Sequence, residues 1–232
     1  MIQNQKGTEG FLLINKPEGI RSFAIINRLR RITGIKKIGH AGTLDPFASG
    51  LMIVAIGKTF TKQIDNFLTM PKAYQGTIVL GIATDTLDSE GAIVHQTPPP
   101  SVTQSQVTQC LDGFIGTQIQ QVPAYSAKKI DGKPMYKLAR EGKKIPKNEH
   151  EITIFSLSLD NLADYSYPQI TISTGCSKGT YIRQLAKDIG SRLDSPAYLK
   201  SLKRTAIGPY SLHQAIPLED IDEDAIRRHR FF

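Results

Sequence analysis

One carboxylate, Asp45, lies in the stretch of this chain whose residue types are best suited to chemistry, residues 39–51. Three glycines and Pro46 surround it, between a basic segment and an apolar run. Glycines permit backbone conformations that other residues rarely adopt, and a proline fixes the chain directly after the acid. Such a loop could hold a catalytic carboxylate in one place, with His40 five residues upstream. The alternative is an ordinary Asx-type turn, for which Asp-Pro and nearby glycines are typical.

The segments on both sides of this loop must position it. Residues 10–19 predict a short apolar strand that is closed by a turn at Pro17 and Gly19. We expect a helix to begin with Ser22 as its N-cap and to stop at Gly34. The face of this helix that we expect to be buried carries Phe23, Ile26, Leu29 and Ile32. Residues 51–56 are continuously apolar and predict a buried strand.

A second residue that could take part in chemistry is Arg183, at the end of the sequence Gly179-Thr180-Tyr181-Ile182-Arg183. Thr180 is a candidate N-cap, which places Arg183 in the first turn of a helix. A cation in that turn opposes the helix dipole, so the pattern suggests a compensating partner elsewhere in the fold. The alternative is a surface arginine at a frayed helix end.

The loop around Asp45 closely resembles the active-site motif of the TruB family of tRNA pseudouridine synthases, Gly-His-Thr/Ala-Gly-Thr/Ala-Leu-Asp-Pro. The resemblance extends from about Gly10 to about Tyr210. The further matching motifs are Lys16-Pro17, Lys72-Ala73-Tyr74, the Tyr-Ser-Ala-x-Lys and Gly-Lys-x-x-Tyr-x-x-Ala-Arg patterns within residues 125–140, Gly179-Thr180-Tyr181-Ile182-Arg183, and the Leu-x-Arg-x-x-x-Gly pattern that begins at Leu202.

This resemblance implies a role for each matching residue. Asp45 would be the carboxylate that acts at the ribose. Arg183 would pair with Asp45 and keep it ionised, because an opposite charge favours the charged form. Tyr74 would stack on the uracil and assist removal of the C5 proton. The residues that the resemblance implies for substrate binding are His40, Tyr181, Leu202 and Lys16.

The implied reaction breaks the N1–C1′ bond of a uridine, turns the uracil and rejoins it through C5. It involves no redox change and no phosphate hydrolysis, so we expect no metal and no organic cofactor. Cys110 and Cys176 are far apart in sequence, and the acid-rich residues 85–91 lack calcium-ligand spacing. A single carboxylate also differs from glycoside hydrolysis, which uses two. In the family the substrate is uridine 55 in the T-arm of tRNA, and the enzyme flips this base out.

Composition is consistent with a polyanionic partner. The net charge is +8, and three basic segments, residues 1–60, 121–150 and 176–210, alternate with mildly acidic ones. The absence of a signal peptide or membrane span predicts a cytoplasmic protein, and no obligate protein partner is evident, so we expect a monomer.

The expected fold is mixed α/β, a largely antiparallel central sheet flanked by helices, as in the pseudouridine synthase fold. We expect residues 1–232 to form one catalytic domain with a small RNA-clasping, thumb-like insertion near residues 124–148. No residues remain for the PUA domain that many family members carry. Two alternatives remain open: a non-catalytic tRNA-binding or tRNA-folding protein, and a pseudouridine synthase for another RNA. The joint presence of Asp45, Tyr74 and Arg183 weighs against the first.

Overall fold

The fold is known from a computed structural model that describes residues 7–126, 128–130, 132–141 and 148–232. Contacts between residues divide the chain into two compact units. Unit 1 consists of the residues up to Tyr74 together with Leu202–Phe232, and unit 2 is Gln75–Ser201. Among the described residues, no helix is both long enough and apolar enough to cross a membrane.

In the described residues, strands outnumber helices. The strands are β1 (Gly10–Lys16), β2 (Ile38–His40), β3 (Ser49–Ile56), β4 (Lys72–Leu80), β5 (Ile82–Thr84), β6 (Ile93–Gln96), β7 (Gly116–Gln121), β8 (Lys129–Ile130), β9 (Lys133–Pro134), β10 (Glu149–Ala163), β11 (Gln169–Cys176), β12 (Ala197–Ile207), β13 (Tyr210–Ser211) and β14 (Ile216–Pro217). The helices are α1 (Ser22–Thr33), α2 (Lys58–Thr61), α3 (Asp65–Leu68), α4 (Gln104–Asp112), α5 (Met135–Arg140), α6 (Ile182–Arg192) and α7 (Glu223–His229). Strands β4 and β12 cross the boundary between the units.

In unit 1 the strand order is β14-β1-β3-β12, with β2 beside β3 and β13 beside β12. Strand β3 is central, since it pairs antiparallel with β1 and β2 and parallel with β12. All eight of its residues are buried, as the continuous apolar run predicts. Its inward side chains pack with Phe11, Phe67 and Ile207 into the core of this unit. The strand that follows Asp45 is therefore a rigid platform.

In unit 2 the strand order is β4-β11-β10-β7, and β10 pairs antiparallel with both β11 and β7. Helix α4 packs on β10 and α6 packs on β7, which gives this unit its own core. The spacing of Thr103 and Gln106 predicts a capping box, and the two residues form one at the start of α4. The expectation of a mixed fold with a largely antiparallel sheet flanked by helices is confirmed.

Two local predictions were wrong. The sequence predicts one helix over residues 58–68, whereas the chain forms two short helices there, α2 and α3. The buried face of α1 includes Ile25, whereas Phe23 is 57% exposed and its ring lies under the guanidinium of Arg30. Residue 23 points outward because the helix begins at Ser22 with that side chain turned inward.

Part of the predicted insertion near residues 124–148 lies within the described residues. Strands β8 and β9 pair antiparallel as a small hairpin, and α5 follows directly. Gly132 in the hairpin turn has φ of 78°, a conformation that favours glycine. The sequence also predicts an Asp131-Gly132 turn and a short helix that ends at Gly142, but Asp131 and Gly142 lie outside the described residues.

Candidate active site

Asp45 lies in the connection between β2 and β3 and is partly exposed. Its neighbours Leu44 and Phe47 are buried, so they anchor the loop on both sides of the acid. The amide of Ala48 donates to the Asp45 carbonyl over 3.1 Å, which closes a turn at Pro46. The loop therefore presents one carboxylate from a backbone fixed in the core of unit 1.

Ser22 holds the residue just before Asp45. Its hydroxyl donates to the Leu44 carbonyl over 2.8 Å and accepts from the Leu44 amide over 3.0 Å. Ser22 is buried, and Arg21 is the N-cap of α1 and forms no side-chain cap. The prediction that Ser22 caps the helix is therefore wrong, because its hydroxyl satisfies both backbone groups of a buried loop residue instead.

Lys16 holds the residue just after Asp45. The side chain is fully buried at the end of β1, and its ammonium donates to the carbonyls of Pro17 over 2.8 Å and Pro46 over 3.2 Å. The amide of Gly19 also donates to the Pro46 carbonyl, over 2.9 Å. The Lys-Pro turn thus lies beside the loop, where the resemblance implies it. The substrate-binding role of Lys16 stays a prediction.

Arg204 on β12 is a further buried group at this loop. Its Nε donates to the Leu51 carbonyl over 2.7 Å, and its Nη2 donates to the Gly42 carbonyl over 3.2 Å. The sequence contains this residue within the Leu-x-Arg motif, but its role was not predicted. Only the three-dimensional pairing of β12 with β3 brings it to the loop.

His40 ends β2 and is partly buried. Burial is the main cause that lowers the pKa of its imidazole from the ordinary 6.5, and the Arg204 cation lowers this pKa further, whereas the Gly42 backbone raises it. The lowered pKa therefore favours the neutral imidazole at pH 7. Its Nδ1 is buried and makes no hydrogen bond to any residue that the structure describes.

Two predicted site residues of unit 1 lie on the strands that leave this unit. Tyr74 is partly exposed on β4, and Leu202 is 7% exposed on β12. Lys72, two residues before Tyr74, is buried and donates to the carbonyls of Leu68 and Met70, each over 2.7 Å. The lysine of the Lys-x-Tyr motif thus fixes the start of the strand that carries the tyrosine.

In unit 2, Arg183 has the compensating partner that its position in α6 predicted. Its side chain is almost fully buried, and Nη1 lies 3.5 Å from Oδ2 of the equally buried Asp88. The two Nη atoms donate to the carbonyls of Thr86 over 2.7 Å and Tyr125 over 2.8 Å. Asp88 belongs to the acid-rich residues 85–91, and nothing in its spacing points to an arginine distant in the chain.

Tyr181 is the N-cap residue of α6, so the prediction of Thr180 at that position was one residue early. The backbone amide of Tyr181 donates to the Gln120 side chain over 2.8 Å, and that side chain donates back to the Tyr181 carbonyl over 3.1 Å. The Tyr181 ring meets the His150 ring edge to face, with centroids 5.8 Å apart. The backbone and ring of Tyr181 are thus both held.

The predicted site residues therefore fall into two groups. Unit 1 carries Asp45, His40, Lys16, Tyr74 and Leu202, whereas unit 2 carries Arg183 and Tyr181. The predicted pairing of Asp45 with Arg183 joins residues of different units and stays a prediction. In the described part of the chain, no group of three or more His, Cys, Asp or Glu side chains could hold a metal ion.

Comparison with known proteins gives consistent matches. Residues 30–182 match the family described as TruB family pseudouridylate synthase (N terminal domain). The tRNA pseudouridine synthase B of Desulfotalea psychrophila is 44% identical over 232 residues, which cover 98% of this chain and 94% of that protein. The enzyme of the same name from Opitutus terrae is 43% identical over 223 residues, covering 96% and 90% respectively.

Among solved structures, a chain of a Cbf5-Nop10-Gar1 complex matches with a TM-score of 0.70 at 24% identity. The match covers 94% of this chain and 54% of that chain, so this chain spans about half of its length. At this identity the likeness shows the fold alone.

Proposed function

The chain belongs to the TruB family of pseudouridylate synthases, and we propose that it isomerises uridine 55 in the T-arm of tRNA to pseudouridine. The observation that carries this proposal is the loop of Asp45, whose backbone is held by the buried side chains of Lys16, Ser22 and Arg204. Relatives that match almost the whole chain are tRNA pseudouridine synthases B.

In the proposed reaction the carboxylate of Asp45 acts at the ribose C1′ while the N1–C1′ bond breaks. The uracil turns, C5 bonds to C1′, the proton leaves C5 and N1 gains a proton, so atoms and charge balance. Arg183 pairs with Asp45, and Tyr74 stacks on the uracil and assists removal of the C5 proton. Neither a metal nor an organic cofactor takes part in this chemistry.

The other site residues act on the substrate. His40 helps to hold the extruded nucleotide, and its neutral imidazole suits a hydrogen bond to a polar group of the nucleotide. Tyr181 and Leu202 wall the base pocket, and Lys16 contributes to binding through the loop. The target base flips out of folded RNA, because the reacting atoms are otherwise stacked. Phosphate contacts of the basic segments supply most of the affinity.

The working form in this proposal is a cytoplasmic monomer. Residues 1–232 act as one catalytic domain, and the insertion near residues 124–148 clasps the T-arm. The density of cationic residues in that insertion supports this role.

The test is release of tritium from tRNA transcripts that carry [5-³H]uridine. We expect release by the purified protein with unmodified transcript, and none with a transcript in which residue 55 is cytidine. Binding without release would support the non-catalytic alternative. Equal release from the cytidine-55 transcript, or activity restricted to another RNA, would assign a different target. Release that is lost with EDTA and restored by one specific metal, with tRNA folding unaffected, would contradict the metal-free mechanism.

A further inference from the structure

Arg204 is a buried cation at the end of the loop that carries Asp45. The residue is 2% exposed, and it forms no ion pair with any carboxylate of the described residues. An arginine side chain does not shed its proton in proteins, so the charge stays in place. Burying an unpaired charge is costly unless hydrogen bonds replace its hydration.

Backbone carbonyls at the two ends of the loop supply those hydrogen bonds. Nη2 reaches Gly42, three residues before Asp45, and Nε reaches Leu51, six residues after it. Lys16 and Ser22 hold the middle of the same loop, at Pro46 and Leu44. Of these three side chains, Arg204 is the one whose hydrogen bonds join the beginning of the loop to its end.

The backbone of Arg204 also lies close to the end of the loop, at Gly50. Arg204 pairs with Gly50 in the parallel register of β12 and β3. Gly50 has φ of 108°, and a Cβ atom at this position would lie 2.7 Å from the Arg204 amide nitrogen and closer still to its carbonyl oxygen. A side chain at position 50 would therefore move β12 away from the loop.

We propose that Arg204 is a positioning residue of this active site, whose guanidinium ties Gly42 to Leu51 and thereby fixes the backbone on which Asp45 is carried. The inference rests on the proposed function for its kinetic consequence and on the hydrogen bonds alone for its structural consequence. A lysine could retain the charge, but it lacks the rigid fork that reaches both carbonyls. The chemical step requires accurate positioning of the Asp45 carboxylate, whereas the free energy of tRNA binding is spread over many phosphate contacts.

The structural consequence is tested by hydrogen exchange in the free protein. In Arg204→Met we expect the amides of Leu44 and Ala48 to exchange at least about tenfold faster, while that of Leu13 in β1 keeps its protection. The Leu44 amide donates to the Ser22 hydroxyl, and the Ala48 amide donates to the Asp45 carbonyl. Unchanged protection of both loop amides would overturn the inference. Equal acceleration of Leu13 would also overturn it, because that result indicates general destabilisation.

The kinetic consequence is tested by single-turnover release of tritium with saturating enzyme. In Arg204→Met we expect the rate to fall about 100-fold, the cost of misplacing a catalytic group by about 1 Å. The Kd for tRNA should stay within about threefold. We expect Arg204→Lys to recover part of the rate, and this variant replaces Arg204→Met in both tests if the methionine variant does not fold.

The matched control is Arg227→Met, which removes one exposed cation from α7 of the same unit. We expect wild-type rate, Kd and loop exchange for this variant. A wild-type rate in Arg204→Met, or a rate loss fully explained by weaker binding, would overturn the inference. A wild-type protein inactive on every tRNA would contradict the proposed function instead, and the exchange experiment would still decide the role of Arg204.

Discussion

The surroundings of His40, beside the loop of Asp45, determine the charge of its imidazole. Burial first and the Arg204 cation second lower the pKa of the imidazole, so the neutral form is favoured near pH 7. A neutral imidazole can both donate and accept a hydrogen bond, and its buried Nδ1 has no partner among the described residues. These properties suit a residue that receives part of an extruded nucleotide.

The lowered pKa of His40 makes folding stability depend on pH. Unfolded His40 has the ordinary pKa of 6.5 and binds more protons than folded His40 below that value. The contribution of His40 to the free energy of unfolding is therefore complete above about pH 6.5, and it decreases as the pH falls from there toward the lowered pKa. We expect urea midpoints to show this decrease in wild type and a smaller one in His40→Gln. An identical pH dependence in the two proteins would contradict the charge state assigned to His40.

Motifs allowed the sequence to identify Asp45, His40, Tyr74 and Arg183 as candidates, because each is a reactive residue type within a distinctive pattern. The partners that hold such residues could not be predicted in the same way. Asp88 meets Arg183 only after distant segments of unit 2 fold together, and backbone carbonyls leave no trace in a residue pattern.

At the scale of elements, the loop of Asp45 depends on a helix and three strands. Strand β1 delivers Lys16, the first turn of α1 delivers Ser22, and β12 delivers Arg204, whereas β3 continues from the loop itself. Each of these side chains bonds to the loop backbone. The loop backbone is therefore held by side chains from three separate elements outside the loop.

Substitutions of Ser22 can distinguish its role in holding the loop from a role as helix N-cap. We expect Ser22→Ala to lower the free energy of unfolding by roughly 1–3 kcal/mol, because both backbone groups of buried Leu44 lose their partner. Ser22→Asp should be worse still, because it places a carboxylate in a buried position, whereas an N-cap accepts Asp readily. Chemical denaturation of the three proteins decides between these roles. Wild-type stability in Ser22→Asp would restore the capping interpretation.

Substitution of Gly50 tests whether the close approach of β12 to β3 at this position matters for stability. Gly50→Ala adds strain at a positive φ and a Cβ atom 2.7 Å from the Arg204 amide nitrogen. Gly19→Ala is a matched control, since Gly19 also has positive φ but nothing lies within 4 Å of the point that its Cβ atom would occupy. We expect Gly50→Ala to lower the melting temperature clearly more than Gly19→Ala does. Equal effects would mean that backbone strain alone matters at position 50.

The strands could be predicted more reliably than the helix face. The sequence predicts a strand within residues 10–19 that ends in a turn at Pro17, and a second strand over residues 51–56; strands β1 and β3 form at these places. The face of α1 was mispredicted because periodicity assumes that apolar residues define the buried side. Here polar Ser22 points inward toward the loop, and Phe23 is left outside.

At the scale of the whole molecule, the predicted catalytic residues are shared between two compact units. The proposed function requires Asp45 of unit 1 and Arg183 of unit 2 to act on one nucleotide. It also requires the basic segments to bind the phosphates of the T-arm. These roles of Asp45, Arg183 and the basic segments could be predicted only through the family resemblance. Composition and charge indicate a polyanionic partner without specifying which one.

Recognition should require only the T-arm. We expect an isolated T-arm hairpin to be modified, because the basic insertion and the loop motifs all lie within this chain. The logarithm of the binding constant should fall linearly with the logarithm of the salt concentration, as counterion release requires. Modification of full-length tRNA but not of the hairpin would show that recognition lies elsewhere in the tRNA.

The carboxylate of Asp45 is the group on which the proposed chemistry depends most directly. Asparagine has nearly the same size and can keep hydrogen bonds of the loop, but it carries no charge and is a poor nucleophile. The most direct test is single-turnover release of tritium from [5-³H]uridine-labelled tRNA by Asp45→Asn, with filter binding on the same preparation. We predict a rate at least about 10³-fold lower, with tRNA binding within about threefold of wild type. Release at a near wild-type rate would contradict the assignment of Asp45 as the catalytic carboxylate, and loss of tRNA binding would make the loop chiefly a recognition element.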